Sequence, residues 1–465
     1  MRDLTGLEKL LNVTQQRFTN LTLEASVVTG FESTAVDECL ERFGRNLQVC
    51  STEGRIFFNT QFDKYHDFKN LRSVDHVHVL AGIVKLPLGI DPEKKDEDLE
   101  IIKSSINLFD WDKALTVWKE VYQFPGIIYA TQEDHDYAVS FEKGSKYAGD
   151  CNQNSENEVF ETEDPHYEKT ELEKALDSVL KVSDDEDEDG CDDPNTCPSL
   201  KKVPKFRVTC NRVGNHHTFT SMEAASAFGG HLQDKFNWIV DLTNYDLNII
   251  LEILNEDVYA SISLTKESQH RRNISFFGFT TLKATICYNM LRLSEPKPGD
   301  IVIDPLGGDG SIPIEGSFAY PKSYFISGDI YEKSVIRTRK NINALLEKSV
   351  NNYLKIDNLH WDATKLPLKS NSIDIFVSDF PFGKRLGSKQ NNKGLYKKVL
   401  NELARVVRSS TGKCVILTTD RTSFNIGFQD TRAYWKQAKV LMINVGGLRA
   451  ACYVLIRTSE EYPSV

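Results

Sequence analysis

The last third of the chain alternates strands and helices in an order that few folds satisfy. IVIDPL (301–306) is a buried-strand run, followed by a glycine loop and a helix around IEGSFAY (314–320). YFISGDI (324–330) is a second strand run. SVIRTRKNINALL (334–346) is helical, with Val335, Thr338, Ile342 and Leu345 on one stripe. NLHWDA, SIDIFVSDF and CVILTTD read as further strands, with the helix LYKKVLNELARVV before the last of them, and LMINVGG and ACYVLIRT close as a hairpin. Apolar runs of strand length that alternate with amphipathic helices specify a mostly parallel sheet covered by helices on both faces. The expected class for residues 299–465 is therefore α/β, with an antiparallel pair added at the end.

Ligands of such sheets bind beyond the carboxyl ends of the strands. Asp304-Pro305-Leu306-Gly307-Gly308-Asp309-Gly310 leaves the first strand and enters a helix. Gly308 and Gly310 allow a tight turn and a close backbone approach, and the free N–H groups of the new helix favour an anion. Two more strands end on acids. Asp329, followed by Ile330, can accept from ribose hydroxyls, and Asp362, followed by Ala363, from an adenine amine. Each acid alone is equally a cap for the next turn. Three at successive strand ends point to a ligand carrying a nucleoside. Candidate cofactor-binding residues are Asp304, Pro305, Gly308, Gly310, Asp329, Ile330, Asp362 and Ala363. A dinucleotide fingerprint would need a third glycine where Pro313 stands.

A fourth strand ends in Asp379-Phe380-Pro381-Phe382-Gly383-Lys384-Arg385. An exocyclic amine is a poor nucleophile because its lone pair is delocalised into the ring. Acceptors that hold its hydrogens let the nitrogen pyramidalise, and Asp379 and the carbonyl next to Pro381 can supply them. Phe382 can stack on the base. Asp379, Pro381 and Phe382 are the candidate catalytic residues, against the alternative of a buried turn with two core phenylalanines. Lys384 and Arg385 could hold phosphates.

The net charge of −11 argues against a nucleic-acid partner until its distribution is considered. Residues 184–193 carry eight acidic groups and no basic one, and the rest of the chain is near neutral. Such a run is expected to be solvated and disordered, and dispensable for catalysis. Basic clusters elsewhere can face RNA, and Lys205, Arg207, Arg212, Arg271 and Arg272 are the candidates. The nine scattered cysteines form no C-x-x-C pair, so neither disulfides nor a metal site is expected. No apolar run spans a membrane and the first residues lack a signal-peptide core, which makes a cytoplasmic location the expectation.

Upstream, 1–23 reads as an extension and 24–100 as a β-α-β unit of ferredoxin-like type, with 91–100 a charged surface loop. A second unit follows over 101–270, interrupted by a polar acidic insertion over about 145–203. A helix begins near Ser221 with that residue as its cap. An amphipathic linker helix occupies 271–298. The catalytic third has one short basic loop, so in isolation it is expected to bind its cofactor but to act poorly on a structured RNA.

KFRVTCNR, TKESQHRRNISFFGFTTLKATICYNMLRL, Asp304 to Ile314, DFPFGKRLGS and VGGLRAACYVLIRT together resemble the THUMP-domain tRNA guanosine N2-methyltransferases. The resemblance runs from about residue 24 to the end, outside the acidic insertion. It implies a class I, Rossmann-like methyltransferase domain preceded by α+β ferredoxin-like and THUMP RNA-binding domains. It also implies S-adenosylmethionine as methyl donor, guanosine N2 of tRNA as target and a small zinc-binding activator subunit as partner. The nearest branch of the family implies position 6 of the acceptor stem, with position 7 as a further site. Gly307 and Asp309 depart from the family's donor loop, where Cys and Ser or Thr are usual. The Asp309 charge is expected to weaken donor binding. Two other readings are the same chemistry on another tRNA position or small RNA, and a non-catalytic RNA-binding scaffold that keeps the fold.

Overall fold

The computed structural model describes residues 4–16, 20–62, 64–89, 92–148, 202–214, 217–278, 280–348, 354–381 and 389–463. The acidic run 184–193 lies outside them. Helix α1 (Thr5–Gln16) precedes strand β1 (Asn20–Val27), α2 (Glu32–Phe43), β2 (Val49–Thr52), β3 (Arg55–Gln61) and β4 (Val74–Lys85). Then come α3 (Lys95–Ser104), α4 (Trp111–Tyr122), α5 (Gln132–Ala148), β5 (Lys205–Val213), α6 (Ser221–Phe236), β6 (Ile239–Val240), β7 (Leu247–Leu254) and β8 (Asp257–Ser263).

These eight strands form one sheet in the order β2-β3-β1-β4-β8-β7-β5-β6. The join is β4 against β8, antiparallel from His78↔Ser263 to Lys85↔Asp257. The 24–100 unit and the unit after it thus share a sheet. Apolar face residues such as Leu23, Val77, Leu251 and Ile262 sit in a single core with Trp111, Trp118 and Phe228 from the covering helices. On the opposite face, α1 lays Leu7, Leu10 and Leu11 against Phe57, Leu80 and Tyr259.

Two local expectations change here. Residues 95–104 form α3 instead of a loop: Asp96, Glu97 and Asp98 occupy its first turn, where the helix dipole favours them, and Ile102 is buried. Asp98 is buried too, accepting from Gly89 N at 3.0 Å and Thr218 Oγ1 at 3.1 Å, which turns a charged stretch into a packed one. The cap of α6 is Thr220, one residue earlier than expected. Its hydroxyl accepts from Glu223 N at 3.2 Å while Glu223 accepts from Thr220 N at 2.8 Å.

The second half contains α7 (Ala284–Ser294), β9 (Ile301–Asp304), α8 (Ser311–Ala319), β10 (Tyr324–Asp329), α9 (Glu332–Lys348), β11 (Ile356–His360) and β12 (Ile375–Asp379). It ends with α10 (Lys389–Val406), β13 (Lys413–Thr418), α11 (Arg421–Asp430), β14 (Trp435–Val445) and β15 (Leu448–Arg457). The sheet order is β11-β10-β9-β12-β13-β15-β14. Strands β9 to β13 pair in parallel, and β15 is antiparallel to both of its neighbours. The order reverses between β9 and β12, which opens the crevice where a doubly wound sheet binds its ligand.

Helix α7 is not amphipathic in its setting. Every residue from Ala284 to Leu291 is buried, including Thr285 and Asn289. It lies between the two sheets, so both flanks are covered. Thr285 Oγ1 donates to Asp75 at 2.6 Å and Asn289 Nδ2 to the Ser73 carbonyl at 3.0 Å. Further along the contact, Asn444 N donates to the Thr29 carbonyl at 3.0 Å. A Cβ on Gly30 would stand 2.0 Å from the Met442 carbonyl oxygen, and Gly30 has φ +102, a conformation that favours glycine.

Candidate active site

Four acids stand at the carboxyl ends of adjacent strands. Asp304, Asp329 and Asp379 end β9, β10 and β12, and Asp362 follows β11 by two residues. The loop between β9 and α8 is held by its own backbone and by its neighbours. Gly307 N donates to the Gly328 carbonyl at 2.8 Å, Gly310 N to the Gly307 carbonyl at 2.7 Å, and Thr338 Oγ1 to the Gly308 carbonyl at 3.0 Å. Gly308 (φ +53) and Gly310 (φ +81) both occupy the left-handed region. A Cβ on Gly310 would lie 2.6 Å from Thr338 Cγ2, so that glycine is required for packing. A Cβ on Gly308 would meet nothing within 4 Å: this part of the loop faces open space, as a cradle for a ligand would. At Gly307 a Cβ would lie 2.4 Å from Ser327 Oγ, so the space a side chain would need is taken by Ser327.

Asp329 is fixed by the loop, with one oxygen accepting from Gly308 N at 3.0 Å and the other from Tyr331 N at 2.9 Å. Burial raises its pKa, opposed by those N–H groups. The next residue, Ile330, is half exposed and leaves an apolar surface at the crevice. Asp304 accepts from Leu306 N at 3.2 Å, and burial, with the Asp379 charge beside it, raises its carboxyl well above the ordinary range. Asp362 is exposed and spends one oxygen on a turn, accepting from Thr364 N and Thr364 Oγ1, both at 2.8 Å. Ala363 beyond it is buried.

Asp309 is held by partners from outside the glycine loop. Its carboxylate turns away from the loop's open side into the 276–281 segment. There it accepts from Gly278 N at 2.8 Å and from the Thr281 hydroxyl, and pairs with Arg337 Nη1 at 2.5 Å. The guanidinium and the two hydrogen bonds offset this charge locally, although it still acts on the carboxyls of Asp329 and Asp379. Asn341 completes this junction. It accepts from Ser275 N and Phe276 N and donates to the carbonyls of Phe276 and Asp309. Asn341 is fully buried on the α9 face where Ile342 was expected to point inward.

Burial raises the Asp379 carboxyl to about 7, and the charges of Asp309 and Asp329 add to it. Phe380 is core: its ring meets Tyr396 edge-on at 4.8 Å and Phe376 at 6.2 Å. The Pro381 carbonyl accepts from Tyr396 Oη at 2.6 Å and Asn392 Nδ2 at 3.1 Å, so it is already committed to rigidifying the turn. Phe382, Lys384 and Arg385 lie outside the described residues.

The candidate RNA contacts do not form one patch. On β5, Lys205 and Arg207 share one sheet face while Arg212, odd by one in the period of two, points to the other. Arg207 lies 3.9 Å from the Tyr245 ring and donates to Asn248 at 3.1 Å. Arg271 is 5.9 Å from the Phe277 ring. Arg272 is engaged internally by Glu315 and the Arg72 carbonyl. Asn341, Thr338, Arg337, Tyr396 and Glu315 were not foreseen. Each is a polar residue on a helix, and only packing reveals its partner.

A family model described as an RMKL-like methyltransferase domain matches residues 271–451, and a THUMP domain model matches 177–263. The chain is 37% identical to the human tRNA (guanine(6)-N(2))-methyltransferase THUMP3, over 95% of this chain and 89% of that protein. It is 26% identical to the Bos taurus U6 snRNA (guanine-N(2))-methyltransferase THUMPD2, over 84% of this chain and 77% of that one. Among solved structures, TrmN from Thermus thermophilus aligns with TM-score 0.63 and 18% identity, covering 94% of this chain and 99% of TrmN. SMU.472, a methyltransferase complexed with SAH, aligns with TM-score 0.59 and 14% identity over 95% of this chain and 99% of its own. S-adenosylmethionine is the cofactor of such a domain, and the open space over Gly308 beside the fixed Asp329 carboxylate leaves room for a ligand with a hydroxyl to donate. One continuous chain-length match joins the eight-stranded module, the glycine loop and the Asp379 turn, and on that match the chain belongs to the THUMP-domain guanine-N2-methyltransferase family.

Proposed function

We propose that the chain methylates N2 of guanosine at position 6 of the tRNA acceptor stem, with position 7 a further site. The observation that carries this reading is Asp379 at the end of β12, on the strand beside β9 and its glycine loop, in a chain 37% identical over 95% of its length to a tRNA (guanine(6)-N(2))-methyltransferase. The bound donor supplies an electrophilic methyl group. The residues of this chain do the rest. Gly308 and Gly310 cradle the donor, Asp304 and Pro305 lead into that loop, and Asp329 accepts from its ribose. Ile330 and Ala363 give apolar contact to the base and Asp362 accepts from its amine. Asp379 and the carbonyl preceding Pro381 take the two hydrogens of the guanine amine and present the nitrogen lone pair to the methyl group. The new bond from nitrogen to the methyl carbon replaces the donor's bond to sulfur, and the methylated nitrogen then gives its proton to water, so no strong base is needed. In this reading Phe382 stacks on the base, and Lys384 and Arg385 hold phosphate.

Supporting the tRNA reading over a small-RNA one is the higher identity, 37% against 26%, over nearly the whole chain. The module over 24–270 selects the RNA, with Lys205, Arg207 and Arg271 toward its backbone, and the cytoplasm is the proposed place of action. A small zinc-binding activator would pair with the edge strand β14, where Lys436 to Val440 are exposed and Val440 and Met442 show 36% and 44% of their surface.

Asp329→Ala should weaken donor binding by about 1–3 kcal/mol, the cost of a lost charged hydrogen-bond partner. Calorimetric titration with donor checks this, and an unchanged Kd would place the ribose elsewhere.

A further inference from the structure

Glu315 is a carboxylate that the transfer chemistry does not use, and it is 1% exposed. It sits on α8, the helix that the glycine loop opens into. Both of its oxygens are taken by residues from outside the catalytic sheet. Arg72 Nε donates to Oε1 at 2.7 Å, and Arg272 Nη2 to the same oxygen at 2.7 Å. Arg272 Nε reaches Oε2 at 3.2 Å and Asn273 Nδ2 at 3.0 Å. Arg272 Nη2 also donates to the Arg72 carbonyl at 2.6 Å, which ties the two arginines together.

Arg72 is itself aimed. The Glu38 carboxylate on α2 accepts from Arg72 N at 3.1 and 3.2 Å, from Ser73 N at 2.9 Å and from Ser73 Oγ at 2.5 Å. The lead-in to β4 is thus pinned from the RNA-binding side and its side chain is delivered to the donor helix. A buried Arg–Glu–Arg group adds little net stability over apolar residues of the same volume, because desolvation offsets the attraction. What it does supply is a single permitted geometry, since each oxygen must meet its donors.

We propose that Glu315, through Arg72 and Arg272, is a positioning residue for methyl transfer: it sets the donor loop at a fixed distance from the RNA held by the eight-stranded module. This rests on the reading of Gly308 and Gly310 as the donor cradle. Transfer needs the nitrogen and the methyl carbon aligned to a fraction of an ångström, so a small shift of α8 against the module costs rate while each ligand still binds.

The test uses the full chain under conditions in which it methylates tRNA. Failure of the unaltered chain to do so would count against the functional reading and not against this one. Arg72→Met and Arg272→Met are made singly, and a third variant replaces the group entirely: Arg72→Met, Glu315→Leu and Arg272→Met together. Single-turnover rate at saturating donor and tRNA should fall by about tenfold or more in each. Donor Kd and tRNA Kd should stay within about threefold, and the triple variant should still melt cooperatively. Rates within about twofold of the unaltered chain overturn the proposal. So does a loss confined to tRNA Kd, which would make Arg272 an RNA contact. So does a rate that falls only in step with donor affinity and melting temperature. If the single variants fail to fold, the triple variant decides, and its failure to fold would make the group purely structural.

Discussion

Asp379→Ala should abolish methyl transfer while leaving donor affinity within about twofold, on the proposal that this carboxylate holds the acceptor amine and not the donor. Asp379→Asn should keep part of the activity, since the amide oxygen still accepts a hydrogen bond without the assistance of charge. The carboxyl is raised to about 7 by burial, so the free protein holds it partly protonated at neutral pH. The ionised form is the stronger acceptor, and kcat/KM should fall as pH drops through about 7. Stability runs in the opposite sense. A carboxyl whose folded-state pKa lies above its unfolded value of about 3.9 stabilises the fold at low pH, and that contribution is lost as pH rises through the folded value. Asp379→Asn should therefore gain melting temperature relative to the unaltered chain between about pH 4 and 7, and level off above. Methylation assays, donor titrations and pH-resolved melts read these effects. Joint loss of fold, donor binding and activity in Asp379→Ala would return the motif to a structural role.

The second large effect concerns the catalytic third taken alone. Its sequence suggests a unit able to bind donor by itself. The structure gives a different expectation for a 280–465 fragment. Such a cut removes Arg72 and Arg272 from the buried Glu315, Asp75 from Thr285, and Ser73 from Asn289. It also uncovers the flank of α7 that packs on α2, and with it part of a core shared by Ile286, Met290 and Leu291. A buried carboxylate without its partners and a stripped apolar helix are each strongly destabilising. The fragment should show no cooperative melt and bind donor at least about tenfold more weakly than the full chain. A cooperative melt with full-chain donor affinity would contradict the account of α7 and Glu315 as parts of a joint core.

Much of the catalytic sheet is legible in the sequence because period and punctuation agree there. Ile301 to Asp304 and Ile375 to Asp379 are mostly apolar runs that end on an acid, and each is followed within two residues by a proline. The positions of Asp304, Asp329 and Asp379 at strand ends follow from that pattern alone. What was not legible depends on partners distant in the chain. The partners of Asp309, Arg337 and Gly278, cannot be placed beside it without knowing how α9 packs. Arg271 and Arg272 are consecutive and equally basic, and only the fold sends one toward Phe277 and the other onto Glu315. Lys205, Arg207 and Arg212 looked like a cluster because sequence proximity hides the alternation of a strand. The β4–β8 join was invisible because an alternating strand shows which face is buried and not which neighbour lies along its edge. Charge density hid α3, whose acids lie in its first turn.

The most direct test of the central claim is a nucleoside-resolved measurement. Unmodified tRNA is incubated with the full chain, with and without the proposed activator subunit, and isotope-labelled S-adenosylmethionine, then digested and read by mass spectrometry, with fragment mapping to locate the label. The account predicts labelled N2-methylguanosine in the acceptor stem at position 6, lost in Asp379→Ala. Label on another atom of the base or on another nucleoside, or no label although the chain binds both donor and tRNA, would contradict it.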